Sequence, residues 1–174
     1  QHSIQQGLLE AVIDPGGEPL RIYSVHLSHL CSETRMPQVR ALLDIVARAP
    51  SEGAAWCGGH PNPAAGWTEG AEPPMPREAV IMGDMNFTFD SPEYAVMTGP
   101  DAGAYGRLFN RDGLVDAWVA AGHAEDGGHT HPDGKRIDYC FLSASLVDRV
   151  RGASVDTAAT GSDHWPLKVD LATD

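Results

Sequence analysis

The sequence predicts a mixed α/β fold within a single domain. Strand-like segments outnumber helical ones, and many neighbouring strands can pair as a meander rather than as a parallel wound sheet. The length of 174 residues suits one domain, covering 1–174, that buries roughly 68–70% of the surface of its unfolded chain. Hydrophobic residues at 42% and charged residues at 21% are ordinary for a globular protein, so collagen-like and disordered chains are excluded.

The N-terminal part of the chain predicts a β-hairpin followed by one helix. Residues 7–13 and 20–26 are strand-like and flank the turn sequence DPGG at 14–17. A helix is predicted over 34–49, where one apolar stripe has the i, i+3, i+4 and i+7 spacing of Val39, Leu42, Leu43 and Val46. Pro50 is expected to end this helix.

Residues 51–78 differ in kind from the rest of the chain. These 28 residues include five Gly and five Pro, with Trp56 and Trp67 among them. Loops longer than about 12–15 residues are uncommon in compact domains and are usually functional or disordered. The segment is therefore predicted to be a Gly/Pro-rich insertion loop. Two interpretations stay open, a disordered surface insertion and a loop that shapes a substrate site.

The rest of the chain alternates short strands with short helices. Apolar or β-rich runs predict strands at 79–83, 136–142, 153–157 and 167–171. Helical stretches are predicted at 92–98, 114–121 and 145–150. The sequence contains no internal repeat, so these elements are expected to share one core with the N-terminal hairpin and helix.

Charge, hydropathy and cysteine content limit the classes of partner and compartment. The chain has 12 Lys and Arg against 24 Asp and Glu, and its net charge of −12 disfavours non-specific binding to nucleic acid unless a local basic groove or a metal reverses it. No apolar run approaches the ~18 residues that cross a bilayer, and residues 1–10 lack the features of a signal peptide. Cys31, Cys57 and Cys140 form no C-x-x-C pair, which favours a reduced, cytoplasmic chain.

Two polar residues follow the predicted strand 79–83 in the sequence GDMN. In extended geometry, side chains two residues apart share a face, so Asp84 and Asn86 are expected to point together while Met85 points away. A carboxylate is a hard anionic ligand and an amide is both donor and acceptor, a combination that suits a metal-bound phosphate. Both residue types also favour turns, so a plain structural turn is the alternative.

A carboxylate and a histidine farther along the chain form a second candidate pair. Asp138 lies within the predicted strand 136–142, where burying a carboxylate is costly unless it has a partner. That partner is either a nearby Arg or a histidine whose ring Asp138 orients and whose pKa it raises. The tripeptide Ser162-Asp163-His164 supplies such a histidine, with a capped turn as the alternative. Because adjacent residues of an extended segment point in opposite directions, Asp163 is expected to face a cation while His164 faces Asp138.

The remaining histidines are weaker candidates. His26 ends the predicted strand 20–26, and a histidine at a strand end is by itself more often structural than functional. His129 and His131 flank Thr130 and are spaced to bind a transition metal, but their glycine-rich setting favours an ordinary loop. A zinc protein built on this histidine pair would need further ligands, which the sequence alone does not identify.

Four short motifs occur in a defined order along the chain: VHL at 25–27, GDMN at 83–86, RIDY at 136–139 and SDH at 162–164. In this order and spacing they resemble the endonuclease/exonuclease/phosphatase family. That superfamily contains pancreatic deoxyribonuclease, abasic-site endonucleases, neutral sphingomyelinases and inositol polyphosphate 5-phosphatases. The resemblance runs from about residue 7 to the C-terminus, and Thr130 ahead of the RIDY motif agrees with it. The motifs indicate the family strongly and the substrate poorly.

The resemblance implies a deoxyribonuclease-I-like fold, a two-sheet β-sandwich flanked by helices. It also implies a phosphoester hydrolase that uses Mg²⁺ or Mn²⁺. By analogy with the family, Asp163 would help to hold the metal, and Asp84 would contribute to the metal site or position the attacking water. The substrate stays open among a small phosphodiester, a phosphomonoester, a phospholipid headgroup and nucleic acid. The oligomeric state is also open.

The family's roles for the other motif residues follow in the same way. Asn86 would bind the scissile phosphate. His164, held by Asp138, would act as general base or stabilise the pentacoordinate phosphorus. His26 would donate a hydrogen bond to a phosphate oxygen or protonate the leaving group. Positioning and electrostatics do most of the work in such chemistry, and general acid–base catalysis contributes about 10²–10⁴-fold.

The sequence departs from the family pattern upstream of its first motif. Family members carry an Asn near the end of their first strand and a metal-ligating Glu in a Gln-Glu motif, both before the histidine strand. Only 25 residues precede His26, and neither Glu10 nor Glu18 follows a Gln. The chain is therefore expected to be the C-terminal portion of such a domain, lacking N-terminal strands and exposing sheet edges and apolar surface. The alternative is a non-catalytic binding or scaffold domain that lacks the upstream Glu.

Overall fold

The described part of the chain, residues 6–53, 58–66, 70–71 and 74–173 of a computed structural model, forms two β-sheets with flanking helices. Its strands are β1 (Leu8–Ile13), β2 (Leu20–His26), β3 (Ala79–Asp84), β4 (Leu114–Asp116), β5 (Asp138–Ser143), β6 (Val150–Val155) and β7 (Leu167–Leu171). Its α-helices are α1 (Ser32–Glu52), α2 (Pro92–Thr98) and α3 (Ala117–Ala120), and 3₁₀ turns occur at Pro63–Ala65, Gly103–Tyr105 and Ala144–Arg149. The predicted mixed fold is confirmed.

Five strands form the larger sheet in the order β1-β2-β3-β5-β4, and β6 and β7 form the second sheet. Neighbouring strands are antiparallel except β2 and β3, which run parallel. The predicted hairpin is present, with Leu8 opposite Val25 and Ile13 opposite Leu20. Its turn is closed by the Asp14 side chain, which accepts a hydrogen bond of 3.1 Å from the backbone N–H of Gly16.

The larger sheet is covered by helices on one face and partly by the second sheet on the other, which explains why its central strands are apolar at consecutive positions. On one face, residues of α1 and α2 pack with Tyr23, Ile81 and Phe141, all fully buried. On the other face, Val80 and Leu142 pack against the second sheet. Each fully buried side chain of this kind contributes roughly 1.5–3 kcal/mol.

Helix α1 continues past the proline that was expected to end it, so that prediction was wrong. Pro50 lacks the N–H that would bind the carbonyl of Val46. The guanidinium of Arg21 donates a hydrogen bond of 2.8 Å to that carbonyl instead. The helix ends at Glu52, and Gly53 follows with a positive φ of 83°, a backbone conformation that favours glycine.

The predicted helix over 114–121 was only partly correct. Its first three residues, Leu114–Asp116, form a strand because they pair with β5, with Leu114 opposite Ser143 and Asp116 opposite Phe141. Helix α3 covers only Ala117–Ala120, and Asp116 caps it by accepting a hydrogen bond of 2.9 Å from the N–H of Trp118. A non-local strand pairing therefore overrides the local helical pattern.

Other element boundaries differ from the predictions by a few residues. β5 begins at Asp138 rather than 136, and β6 covers Val150–Val155 rather than 153–157. The predicted helical turn at 145–150 is a 3₁₀ turn at Ala144–Arg149. The predictions for 79–83, 92–98 and 167–171 agree with β3, α2 and β7 to within one residue.

Some sequence predictions concern residues outside the described ranges. Trp56, Cys57 and Trp67 lie there, so the insertion loop at 51–78 and its role stay predictions. The other two cysteines are free thiols, Cys31 exposed and Cys140 buried. A search of the described helices for a segment long and apolar enough to cross a membrane finds none.

An open groove of about 810 Å³ lies between the larger sheet and β7. Its walls are mainly apolar and include Leu20, Ile22, Met82 and Leu167, whereas His164 contributes a polar group. Met82 is 39% exposed although it belongs to a central strand. Among the described residues, β7 pairs only with β6. In the described part of the chain, a strand edge without a partner therefore lies beside exposed apolar surface.

Candidate active site

Strand register brings three predicted site residues to one end of the larger sheet. β2 and β3 run parallel and end together, with His26 opposite Asp84. β5 runs antiparallel to β3 and begins where β3 ends, which places Asp138 opposite Asp84. The three side chains are separated by more than 50 residues between neighbours in the sequence, but the sheet makes them adjacent. The fold therefore places a polar residue at the same end of each of the three strands β2, β3 and β5.

The Asp84 carboxylate lies near both a histidine and a second carboxylate. Its Oδ2 atom is 3.6 Å from Nε2 of His26, whose side chain is exposed. Burial raises the pKa of Asp84, with a further increase from the negative charge of Asp138, while the N–H of Asn86 lowers it. The charges of His164 and His26 also lower this pKa. His26 lies beside Asp84, and Asp84 is opposite Asp138, whose Oδ2 lies 2.8 Å from Nδ1 of His164. The two histidines thus share one side of the molecule.

Asn86 is placed by a left-handed backbone turn rather than by strand geometry. Its φ is 52°, in the region that asparagine tolerates better than most residues, so the predicted extended arrangement of Asp84 and Asn86 was wrong. Instead, the N–H of Asn86 donates to Oδ1 of Asp84 at 2.9 Å, and its side-chain Nδ2 donates to the carbonyl of Leu27 at 3.0 Å. Met85 points away into the core, as predicted, and is fully buried.

Asp138 and His164 form a hydrogen-bonded pair. The Nδ1 atom of His164 lies 2.8 Å from Oδ2 of Asp138, and because a carboxylate only accepts, Nδ1 donates and Nε2 is left free. Partial burial by itself lowers the pKa of His164, but the hydrogen bond and charge of Asp138 outweigh it and raise the pKa overall. The alternative arginine partner is absent here, because Arg136 pairs with Asp116 at 2.6 Å.

Thr130 joins the segments that carry the pair. Its buried Oγ1 accepts hydrogen bonds of 3.1 Å from the backbone N–H groups of Ile137 and Asp138. Its carbonyl accepts a hydrogen bond of 2.7 Å from the N–H of Trp165, next to His164. The sequence motif marks Thr130 without revealing this role, because its partners lie in two other segments of the chain.

Replacing Thr130 by Val should destabilise the protein by about 1–3 kcal/mol. Valine keeps the shape of threonine but leaves the N–H groups of Ile137 and Asp138 without their acceptor. Urea unfolding monitored by circular dichroism measures the loss. Thr157→Val, at an exposed turn, is the matched control and should change stability by less than about 0.5 kcal/mol. Equal stabilities for the two variants would contradict this role of Thr130.

Asp163 is exposed and lies beside two histidines. One potential ligand atom each from His131, Asp163 and His164 lies within 4.8 Å of the others. Extended geometry predicted that the side chains of Asp163 and His164 point in opposite directions. In the structure they lie close together instead, so that prediction was wrong. The segment bends, and Ser162 Oγ accepts a hydrogen bond of 3.1 Å from the N–H of His164. The capped turn, which the sequence offered as the alternative interpretation of this tripeptide, is therefore present. The ring of His131 meets that of His164 edge-on, with centroids 5.2 Å apart.

The fold and the polar residues at the sheet end define a deoxyribonuclease-I-like domain. The chain belongs to the Endonuclease/Exonuclease/phosphatase family, whose family model matches residues 56–164. No curated protein matches the chain.

Solved structures of this superfamily share the fold at low sequence identity. An endonuclease/exonuclease/phosphatase from Bacteroides vulgatus is 18% identical with a TM-score of 0.62, over 96% of this chain and 54% of its own. A humanized D. rerio TDP2 is 21% identical with a TM-score of 0.61, over 97% and 61%. A mannosyl-6-phosphatase of Bacteroides thetaiotaomicron is 17% identical with a TM-score of 0.57, over 90% and 52%. The chain thus spans little more than half the length of these proteins.

Proposed function

We propose that the chain is the C-terminal portion of a divalent-metal-dependent phosphoester hydrolase that acts by in-line attack of an activated water. The observation that carries this proposal is the Asp138–His164 pair, joined at 2.8 Å and adjacent to Asp84. His26 and Asn86 complete a set of hydrogen-bond donors on the same side of the molecule. A structural role alone would not require all of these polar groups at one sheet end.

The donor set fits Mg²⁺ or Mn²⁺, with Asp84 and Asp163 as the proposed ligands. Both are carboxylates, the ligands that hard cations prefer. Asp84 is opposite Asp138, the partner of His164, and Asp163 has a potential ligand atom within 4.8 Å of one from His164. The partly buried Asp84 also faces Asp138, a like charge whose repulsion a cation would offset. When bound, such a dication supplies charge stabilisation for the phosphate and orients it. A further carboxylate from an upstream segment, as in the family motif, is part of the proposal.

The protein's own groups have distinct proposed roles. His164 takes a proton from the attacking water through its free Nε2, while Asp138 holds the ring in the correct tautomer and stabilises the imidazolium that forms. Asn86 is fixed by its bond to the Leu27 carbonyl and uses its remaining amide hydrogen toward the scissile phosphate. His26, whose ring is exposed, donates a hydrogen bond to a phosphate oxygen or a proton to the leaving group.

For the substrate, we propose a compact phosphoester rather than a long duplex nucleic acid. The net charge of −12 opposes binding to an extended polyanion. The structural relatives include a mannosyl-6-phosphatase and a D. rerio TDP2 that was solved with a single-strand DNA product. Small phosphodiesters, phosphomonoesters, phospholipid headgroups and the ends of single strands are the candidates, and profiling the full-length protein against these panels would separate them.

Hydrolysis of bis-(p-nitrophenyl) phosphate by the full-length protein should require Mg²⁺ or Mn²⁺. The reason is that the charge developing on the phosphate needs a cation held by the carboxylates at the sheet end. Steady-state rates before and after treatment with excess chelator, and again after metal is added back, provide the measurement. Turnover that is unchanged in excess chelator would remove the metal from the mechanism.

A non-catalytic binding domain is the second candidate function. Such a domain would keep the hydrogen-bond donors His26 and Asn86 at the sheet end and would bind a phosphoester without a competent catalytic metal site. The sequence upstream of Gln1 in the gene discriminates between the two candidates, since an in-frame Gln-Glu motif there supports the enzyme. If the full-length protein binds phosphoesters but hydrolyses none of them in Mg²⁺ or Mn²⁺, the binding domain is the correct assignment.

A further inference from the structure

Two histidines of the site each have one ring nitrogen held by a carboxylate. His164 donates from Nδ1 to Asp138 at 2.8 Å, and Nδ1 of His131 lies 2.8 Å from Oδ1 of Asp133. The N–H of Asp133 is 3.3 Å from the same nitrogen, but the shorter carboxylate contact assigns a proton to Nδ1 of His131. Nε2 is therefore the free nitrogen of both rings. Carboxylate–histidine pairs of this kind orient the histidine ligands of metal sites.

A third ligand lies beside these two rings. One ligand atom each from His131, Asp163 and His164 lies within 4.8 Å of the others. A tetrahedral ion with bonds of about 2.0–2.2 Å separates its ligand atoms by roughly 3.4 Å, so the three groups need to close by about 1.4 Å at most. Asp163 is exposed and the histidines are only partly buried, so side-chain rotation can provide this movement. Three protein ligands would leave a fourth position open to water or substrate.

The donor set distinguishes this site from the proposed Mg²⁺ or Mn²⁺ site. Two imidazole nitrogens and one carboxylate suit a borderline transition metal, whereas Mg²⁺ prefers oxygen ligands only. His131 also has no part in the proposed hydrolytic mechanism. The spacing of His129 and His131 allows a transition metal, but their glycine-rich setting favours an ordinary loop and the sequence alone identifies no further ligands. The structure supplies Asp163 and His164 as those ligands and leaves His129 exposed.

We propose that His131, Asp163 and His164 form a site for a borderline transition-metal ion, Zn²⁺ in the first instance, and that its occupation inhibits the enzyme. The inhibition rests on the proposed function, because an ion bound to Nε2 of His164 prevents that nitrogen from taking a proton from water. Asp163 is then also withdrawn from the catalytic metal. The binding itself does not depend on the proposed function.

Calorimetric titration of the full-length protein with ZnCl₂ in excess Mg²⁺ tests the binding. We expect one Zn²⁺ per chain, and His131→Ala should weaken the affinity by more than about tenfold, the loss seen even when outer partners of a metal ligand are removed. His129→Ala, two residues away and exposed, is the matched control and should bind as the wild type does. Circular dichroism checks that each variant is folded. Equal Zn²⁺ affinities for the wild type and His131→Ala would overturn the site.

The same proteins separate this inference from the proposed function. Zn²⁺ should inhibit Mg²⁺-dependent hydrolysis in the wild type and in His129→Ala, and His131→Ala should require at least tenfold more Zn²⁺ for equal inhibition, as its weaker binding requires. Zn²⁺ binding by a protein that hydrolyses no phosphoester would support the metal site and refute the proposed function. Hydrolysis that Zn²⁺ does not affect at saturating concentrations would refute the inhibition.

Discussion

His164→Ala should lower kcat of the full-length protein by roughly 10²–10⁴-fold, the usual contribution of a general base. The Asp138 carboxylate accepts from Nδ1 of His164 at 2.8 Å, so the ring has a single tautomer, and in the proposed mechanism its Nε2 takes the proton from the attacking water. Alanine removes the proton acceptor and leaves the phosphate-binding groups in place. The expected result is therefore a large fall in kcat with a much smaller change in KM, measured on bis-(p-nitrophenyl) phosphate in Mg²⁺.

His129→Ala is the control for this experiment. It removes an imidazole from the neighbouring loop, but its side chain is exposed and outside the proposed catalytic set, so its kcat should match that of the wild type. Thermal unfolding should show that both variants are folded, since the side chain of His164 is 26% exposed and supports little of the core. A normal kcat for a folded His164→Ala protein would refute the assignment of the general base.

The strand patterns predicted polar residues at the ends of buried strands, and the family motifs predicted that these ends lie close together. The apolar runs that end at His26 and Asp84 indicated buried strands, and strand ends in such folds collect polar groups. The two residues are indeed opposite each other in the parallel pair, with Asp138 opposite Asp84 on the other side. The hydrophobic pattern specifies register, so it also specifies these neighbours. The strands and their polar ends were predictable because period and burial are local properties of the sequence, whereas the pairing of strands more than 50 residues apart was expected from the family resemblance.

The sequence predictions that were wrong concern local conformations and contacts that depend on other segments of the chain. Asn86 adopts φ of 52°, a conformation that its side chain tolerates but that no periodicity indicates. Residues 114–116 are a strand only because β5 is there to pair with them. The contact between His131 and His164 joins two loops, and loop conformation is not encoded in a repeating pattern. The glycine-rich setting of His131 favours an ordinary loop, and it carries no signal of the contact with His164.

The partner of Arg136 is another contact that no local pattern of the sequence indicates. Sequence reasoning considered an arginine as the alternative partner of Asp138, and Arg136 is only two residues away. In the structure, the Arg136 guanidinium is buried and donates to Asp116 Oδ2 at 2.6 Å and to the Glu125 carbonyl at 2.7 Å. The side chains of Arg136 and Asp138 therefore have separate partners. This arrangement leaves Asp138 available to bind His164, and it makes the Arg136–Asp116 pair essential to the core.

Asp116→Ala should destabilise the protein by about 3–5 kcal/mol, the usual loss when one partner of a buried ion pair is removed. The side chains of Asp116 and Arg136 are 1% and 3% exposed, so water cannot replace the lost carboxylate around the guanidinium. The same carboxylate accepts hydrogen bonds from the Tyr94 hydroxyl at 2.9 Å and from the N–H of Trp118 at 2.9 Å, and both donors lose their acceptor. Urea unfolding gives the change in free energy.

Two further variants keep this prediction testable if Asp116→Ala fails to fold. Asp116→Asn keeps an oxygen that can accept from Tyr94 or Trp118 but removes the charge, so it should lose less stability than alanine and remain folded. Asp112→Ala is the matched surface control, because Asp112 is exposed, and it should stay within about 0.5 kcal/mol of the wild type. If Asp116→Ala and Asp112→Ala unfold at the same urea concentration, the pair does not stabilise the core. In that case another interaction would have to hold Arg136 away from Asp138 and so leave the Asp138 carboxylate available to His164.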